Sequence, residues 1–267
     1  MTNPTSAPRF VKSVEISPRK GTGLDDITRA ADLLDGLVDM ATAPENPMGK
    51  PGIDPVSALI HLTRGTGIEP VPHISPRDKN SLYISSQVMT AMKFGIRKFF
   101  VIGGDRISKE IQSREVRELD VFQTINLIKS VGNDYGVNLE VGSAMNPYRA
   151  GESEFVARKM EAGSGFFITQ ILTSADLFRN GSSIPPNARV FAGFMPMRKR
   201  SYVQFLERMG VSVRGTRFER IAESEDPLME STRAILETVD DLKGIVSGIH
   251  LMTMGDYETA RKIMECV

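Results

Sequence analysis

A single cysteine, Cys266, stands next to the end of the chain, so no disulfide can close within it and no cysteine-based zinc cluster can form. That scarcity fits a reducing compartment. Histidine is nearly as rare, three among 267 residues, and none of the three stands in a His-Glu-x-x-His or other paired spacing, so no metal centre is expected. An excess of one charge is missing too. Lys plus Arg and Asp plus Glu are 33 each, which leaves no overall field to draw a nucleic acid or an anionic membrane surface. A small-molecule partner is expected instead. No apolar run approaches the roughly 18 residues of a membrane span. The polar, proline-containing start, Met1 to Arg9, lacks the apolar core of a signal peptide, and a cytoplasmic protein is predicted. Tryptophan is absent while methionine numbers 14, which reads as adaptable core filling.

What is present suffices for a sizeable core: 40% of the residues are apolar and 25% charged, an ordinary globular balance. The chain is read as one large domain over residues 1–267, with residues 1–10 a short N-terminal tail. Short runs rich in β-branched and aromatic residues alternate with stretches of helical apolar spacing, the pattern of parallel β/α units. Eight such strands are expected, at Val11–Ser17, Val38–Thr42, Glu69–Ser75, Lys98–Gly103, Asn138–Ala144, Gly165–Leu172, Arg189–Met197 and Gly244–Met252. Helices are expected at about 24–37, 54–64, 81–94, 121–131, 152–162, 201–209, 227–242 and 256–264. The proline-rich segment Ala43–Pro55 reads as a loop leaving the second strand. A doubly wound open sheet would share this local pattern; the α/β class with a closed (β/α)8 TIM barrel is preferred.

In such a barrel, chemistry gathers where the carboxyl ends of the strands meet their loops. Five polar residues fall there: Glu15, His73, Asp105, Gln170 and His250. Glu15 sits between Val14 and Ile16, where a carboxylate is costly unless paired or used. Asp105 follows two glycines, which permit close backbone approach but also make ordinary turns. His73 reads equally as a satisfied core histidine, and His250 is left undecided. Gln170, an uncharged polar group in an apolar strand, needs partners that a ligand amide would supply. His61 reads as a helix-surface residue without a role. Gly21-Thr22-Gly23 lacks the third glycine of a dinucleotide fingerprint, and Gly49-Lys50 lacks the earlier glycine of a phosphate loop. No Gly-x-Ser-x-Gly nucleophile motif occurs.

Several segments, taken together and in order, resemble the methylenetetrahydrofolate reductase family in its single-domain bacterial and archaeal form. These are Glu15-Ile16-Ser17-Pro18-Arg19, Pro72-His73-Ile74-Ser75-Pro76-Arg77-Asp78-Lys79-Asn80, Gly103-Gly104-Asp105, Lys159-Met160-Glu161-Ala162-Gly163 leading to Ile168-Thr169-Gln170, Ala192-Gly193-Phe194-Met195-Pro196-Met197, and Gly248-Ile249-His250. The resemblance implies an oxidoreductase that turns a 5,10-methylene-tetrahydropterin into its 5-methyl form. Glu15 would be the general acid that protonates the imidazolidine nitrogen. Asp105 would hydrogen-bond the pterin and stabilise the cation as it forms, and Gln170 would orient the folate. His73 and Lys159, with Glu152 on the same helix face as Lys159, fall on flavin-contacting positions, as do Thr42 and Gly104. The implied cofactor is FAD, with NADH or NADPH as electron donor and a homo-oligomer as the assembly.

The departures cluster on the cofactor side. Gly103 stands where the family has an arginine. Thr42-Ala43-Pro44-Glu45-Asn46-Pro47 replaces its Thr-Tyr-Gly-Ala, and Ser143-Ala144-Met145-Asn146 its Ala-Ala-Tyr-Pro. Ile171-Leu172 replaces a phenylalanine pair. The hydride source is accordingly left open among FAD, FMN, a deazaflavin, direct nicotinamide transfer without bound flavin, and a partner subunit. Tetrahydrofolate and a methanopterin are equally admissible. Two other readings stand beside this one: a barrel methyltransferase passing a pterin methyl group to a corrinoid protein, and a non-catalytic pterin-binding subunit of a one-carbon complex.

Overall fold

The alternation of strand and helix resolves, in a computed structural model of the protein, into eight parallel strands closed on themselves in chain order. The structure describes residues 9–17, 23–63, 65–179, 184 and 187–267. Of the segments singled out above, Pro18, Arg19, Gly21, Thr22 and Arg64 lie outside the described residues, as do residues 1–8 of the tail. The strands are β1 (Val11–Glu15), β2 (Met40–Ala43), β3 (Glu69–Ile74), β4 (Lys98–Val101), β5 (Glu140–Met145), β6 (Ser164–Ile171), β7 (Arg189–Phe194) and β8 (Gly248–Met252). The helices are α1 (Leu24–Leu34), α2 (Pro55–Leu59), α3 (Ser81–Lys93), α4 (Val121–Asp134), α5 (Glu152–Glu161), α6 (Asp176–Arg179), α7 (Ser201–Arg208), α8 (Arg217–Ile221), α9 (Pro227–Leu242) and α10 (Tyr257–Cys266). The (β/α)8 barrel expected from the sequence is the fold.

Local chemistry explains the element ends. Asp120 caps α4 in a reciprocal box with Gln123, and Asn80, Asp226 and Asp256 cap α3, α9 and α10, each satisfying an otherwise unpaired amide of the first turn. Ile125, Ile128 and Val131 then put one face of α4 against the outward side of the sheet. The helix expected over 54–64 divides into α2 and a 3-10 turn, Ile60–Thr63. The last strand begins at Gly248 rather than Gly244, because Gly244 turns with a φ of 82° and ends the helical segment before it. Three expected strands also run on too far at their carboxyl ends. β1 stops at Glu15, β4 at Val101 and β7 at Phe194, where the chain bends outward into the loops of the mouth. The short helices α6 and α8 were not anticipated.

Side chains alternate across each strand, and the inward set forms three zones. At the amino ends of the strands, Glu69, Lys98, Glu140 and Arg189 pair with one another. Above them Met40, Val71, Phe100, Phe166, Ile168 and Phe191 form a dry plug, with Phe166 5.6 Å from Phe191 and 6.2 Å from Phe100 between ring centres. Each buried ring contributes about 1.5–3 kcal/mol. Gly142 makes room for the Phe166 ring, since a Cβ there would overlap it. Nearer the carboxyl ends the inward positions turn polar: Ser13, Thr42, His73 and His250, all buried. No helix among the described residues is long and apolar enough to cross a membrane.

Candidate functional site

The polar zone is the floor of the barrel mouth. Ser13 lies beside His250 in the β1–β8 register and exchanges a 2.9 Å hydrogen bond between its Oγ and His250 Nδ1. One residue pair further up, Glu15 stands beside Thr42 on β2 and Met252 on β8. Glu15 is therefore the next inward-facing position above Ser13, at the strand's last residue. Its carboxyl accepts from Ser17 Oγ at 2.8 Å, and its backbone carbonyl accepts from Thr253 Oγ1 at 2.9 Å. Burial pushes the Glu15 carboxyl above the ordinary value of 4.5; the Ser17 bond opposes this in part, and the negative charge of Asp105 adds to it. The field of Asp105 thus reaches Glu15 across the mouth.

Asp105 follows β4 in a loop without regular structure. Its side chain is exposed, and its Oδ2 accepts the backbone N–H of Met48 at 2.7 Å. Arg77, buried behind it, donates to the Asp105 carbonyl and to Asp78. Gly104, expected to lie against a cofactor, has a φ of 79°, and a Cβ there would strike Ser75 Oγ. Packing against the loop after β3 thus accounts for this glycine.

Two floor atoms are left without partners. Thr42 Oγ1 and His73 Nε2 are buried and make no hydrogen bond, an arrangement that costs about 1–3 kcal/mol per group unless something polar completes it. His73 packs its ring 4.9 Å from Phe100. Burial, together with the neighbouring His250, lowers its pKa to about 3, and burial lowers that of His250 to about 3 as well. Both imidazoles are neutral hydrogen-bonding groups at ordinary pH. A polar ligand edge would complete these two groups, and Thr42 and His73 are the residues that would meet a cofactor ring.

On the β5–β6 side the expected contacts are engaged within the protein. Lys159 donates to the Ala144 carbonyl and stands 4.0 Å from Glu152; burial lowers its pKa, partly opposed by Glu152. Glu152 accepts from the Asn146 amide at 2.8 Å and pairs with Arg149 at 3.3 Å. Tyr148, half-buried, donates its hydroxyl to the Ile171 carbonyl at 2.9 Å, so an aromatic ring does enter this wall, from three residues beyond the expected place at Met145. Gln170 is not brought to the Glu15–Asp105 pair. A register shift between Ile168 and Ile171 turns it, and its amide bonds to the Met209 carbonyl at 3.2 Å and to Ile171 N at 2.9 Å. His61 is exposed in its 3-10 turn.

Ser13, Arg77, Glu45 and Met48 were not singled out in the sequence. Ser13 carries a usable signal, since counting back by two from Glu15 reaches it; the others act through loop geometry. A cavity of about 470 Å³ opens beside the mouth, lined by Glu45, Asn46, Asp78, Lys79 and Tyr83 among others. Neither Glu15 nor Asp105 lines it, so the acid and its charged neighbour, rather than this cavity, define the site. Among the described residues no cluster of His, Cys, Asp or Glu is arranged to hold a metal ion.

Comparison with known proteins bears on the fold and the family. Among solved structures, a protein from Clostridium thermocellum described as binding two copies of 5-methyl-5,6,7,8-tetrahydrofolic acid superposes with a TM-score of 0.71 at 12% identity, covering 98% of this chain and 96% of its own. An oxaloacetate acetylhydrolase superposes with a TM-score of 0.54 at 8% identity, covering 96% of this chain and 79% of its own. At such identities the likeness concerns the fold. In sequence, methylenetetrahydrofolate reductase 2 of Schizosaccharomyces pombe is 24% identical over 213 residues, 68% of this chain, which spans about a third (33%) of that relative's length. The match to the methylenetetrahydrofolate reductase family runs over residues 10–267, and the chain belongs to that family.

Proposed function

We propose that the protein reduces a 5,10-methylene-tetrahydropterin, tetrahydrofolate or a relative, to the 5-methyl form, with Glu15 as the general acid. The observation that carries this reading is a carboxyl group whose burial favours its protonated form at the mouth of the barrel, within the field of the exposed Asp105. Family membership supports the reaction class, and the Clostridium thermocellum neighbour, described as binding 5-methyl-5,6,7,8-tetrahydrofolic acid, supports a reduced pterin as the ligand.

Glu15 gives its proton to the imidazolidine nitrogen, and the carbon–nitrogen bond there breaks towards that nitrogen. The positive charge left on the iminium is stabilised by Asp105. A hydride delivered to the iminium carbon completes the methyl group, so proton and hydride together account for the two added hydrogens. Ser17 steadies the Glu15 carboxyl, and His250, held by Ser13, closes the floor beneath it. Thr42 and His73 would hold a flavin ring, FAD or FMN, which when bound passes hydride from NADH or NADPH to the substrate. Because Lys159 is engaged by the Ala144 carbonyl and Glu152 Oε1 by the Asn146 amide, the nucleotide tail of FAD would find only the buried Glu152 Oε2, which makes no hydrogen bond, as an open partner among these groups. This favours a loosely held flavin or direct transfer from the nicotinamide. The same observation favours the redox-free methyltransferase as the second reading.

The deciding experiment supplies methylene-tetrahydrofolate with NADH or NADPH, with and without added FAD or FMN, and follows nucleotide oxidation and 5-methyl product. The reductase reading predicts both, in equal amounts. No nucleotide consumed, with methyl transfer from 5-methyltetrahydrofolate to a corrinoid acceptor instead, would overturn it in favour of methyl transfer.

A further inference from the structure

The loop that departs most from the family pattern, the segment after β2, is built around Asp105. Three of its four residues from Asn46 to Gly49 have positive φ: Asn46 at 42°, Met48 at 59° and Gly49 at 68°. The left-handed region costs an ordinary residue about 1–2 kcal/mol, so the conformation persists because the surroundings hold it. Its effect is to aim the Met48 N–H at the Asp105 carboxylate, 2.7 Å away. The hydrogen bonds then close a ring. Arg77 donates to the Asp105 carbonyl and to Asp78. Asn46 donates to Asp78 at 3.2 Å, and two residues further on comes Met48 again. Asn46 Oδ1 accepts the Gly52 amide at 3.2 Å, drawing the far end of the segment back onto it.

Two further contacts lock this ring in place. Glu45, buried, accepts from Lys79 Nζ at 2.6 Å and from the Ser75 amide at 2.5 Å, tying the start of the segment to the loop after β3. Gly49 lies flat against the loop that carries Asp105: its carbonyl accepts the Ser108 amide at 3.0 Å, and a Cβ on it would overlap the Arg106 carbonyl.

We infer that residues 45–49 are the positioning element of Asp105, with the Met48 amide holding its carboxylate and the Asn46–Asp78–Arg77 chain holding its backbone. The inference rests on the role given to Asp105 in the proposed reaction. The segment touches the reacting atoms only through Asp105, so its contribution is to aim that charge at the iminium position before substrate arrives.

Two measurements test it. In protein labelled with 15N-methionine, Asp105→Asn should move the Met48 amide proton upfield by about 0.3 ppm or more, because a charge-assisted bond becomes a neutral one; a smaller change overturns the inference. The second is a double-mutant cycle read by 5-methyltetrahydrofolate binding. Gly49→Ala should weaken binding about ten-fold in the wild-type background and less than about two-fold in an Asp105→Ala background, since both changes remove one interaction. Equal losses in the two backgrounds would assign the loop a merely structural role and overturn the inference. Lys50→Ala, which removes an exposed ion pair to Glu110 across the same two loops, should change binding by less than about two-fold. Should the wild-type protein fail to bind any reduced pterin, the functional reading falls, while the amide shift still decides whether the loop holds Asp105.

Discussion

Glu15 and the two floor histidines carry opposite pH signatures. The folded-state pKa of Glu15 is raised above its ordinary 4.5 by burial, so the folded protein keeps a proton that the unfolded chain releases. Stability from this group is present below that ordinary value and declines as pH climbs through the raised one. Glu15→Gln should remove that decline, seen as a urea midpoint that no longer falls with rising pH. His73 and His250 titrate near 3 instead of 6.5. Their contribution is complete above 6.5 and is lost as pH falls towards 3, at about 1.4 kcal/mol per pH unit for each imidazole. His250→Gln should therefore flatten the acid limb of the stability curve by about half; an unchanged limb would mean that His250 is protonated in the folded state. Gln170 offers a contrasting case. With its amide committed to the Met209 carbonyl, Gln170→Ala should leave KM within about three-fold, and a much larger rise would show that the side chain swings to the substrate.

The elements were legible to different degrees, for physical reasons. Strand-forming runs and capped helices are local properties, so β3, α3 and α9 match their expected spans closely. Glu15 was legible because a carboxylate between Val14 and Ile16 is costly unless paired or used, and period two on β1 then leads from it to Ser13. The β6 shift is not local. Thr169 Oγ1 accepts the Gly193 amide of the neighbouring strand at 2.8 Å, a cross-strand bond within the shifted register, and the adjoining Gln170 amide is taken up by the Met209 carbonyl. The segment 45–49 was equally opaque, because its shape comes from Arg77, Asp78 and Lys79 of another loop. Two substitutions probe these elements. Lys79→Met strands the buried Glu45 carboxylate and should cost about 3–5 kcal/mol in chemical denaturation; a loss below about 1 kcal/mol would show that Glu45 is held by Ser75 alone. Gly142→Ala sets a methyl group into the Phe166 ring and should cost about 1–3 kcal/mol, with the barrel order intact by circular dichroism.

Taken whole, the barrel grades from ion pairs at its amino end, through an aromatic plug, to neutral polar groups and a protonatable acid at its mouth. Among the described residues, Thr42 Oγ1 and His73 Nε2 are the buried polar atoms of the floor left without a hydrogen bond. Burial and the negative charge of Asp105 both favour the protonated form of Glu15, the condition for an acid that works near neutrality. The measurement that decides the account is a comparison of Glu15→Gln with the wild-type protein in 5-methyltetrahydrofolate binding and in methylene-tetrahydrofolate reduction. Affinity within about three-fold of wild type and turnover lower by about 10³-fold or more are predicted, since only proton donation is lost. A variant that turns over as fast as the wild type would contradict it.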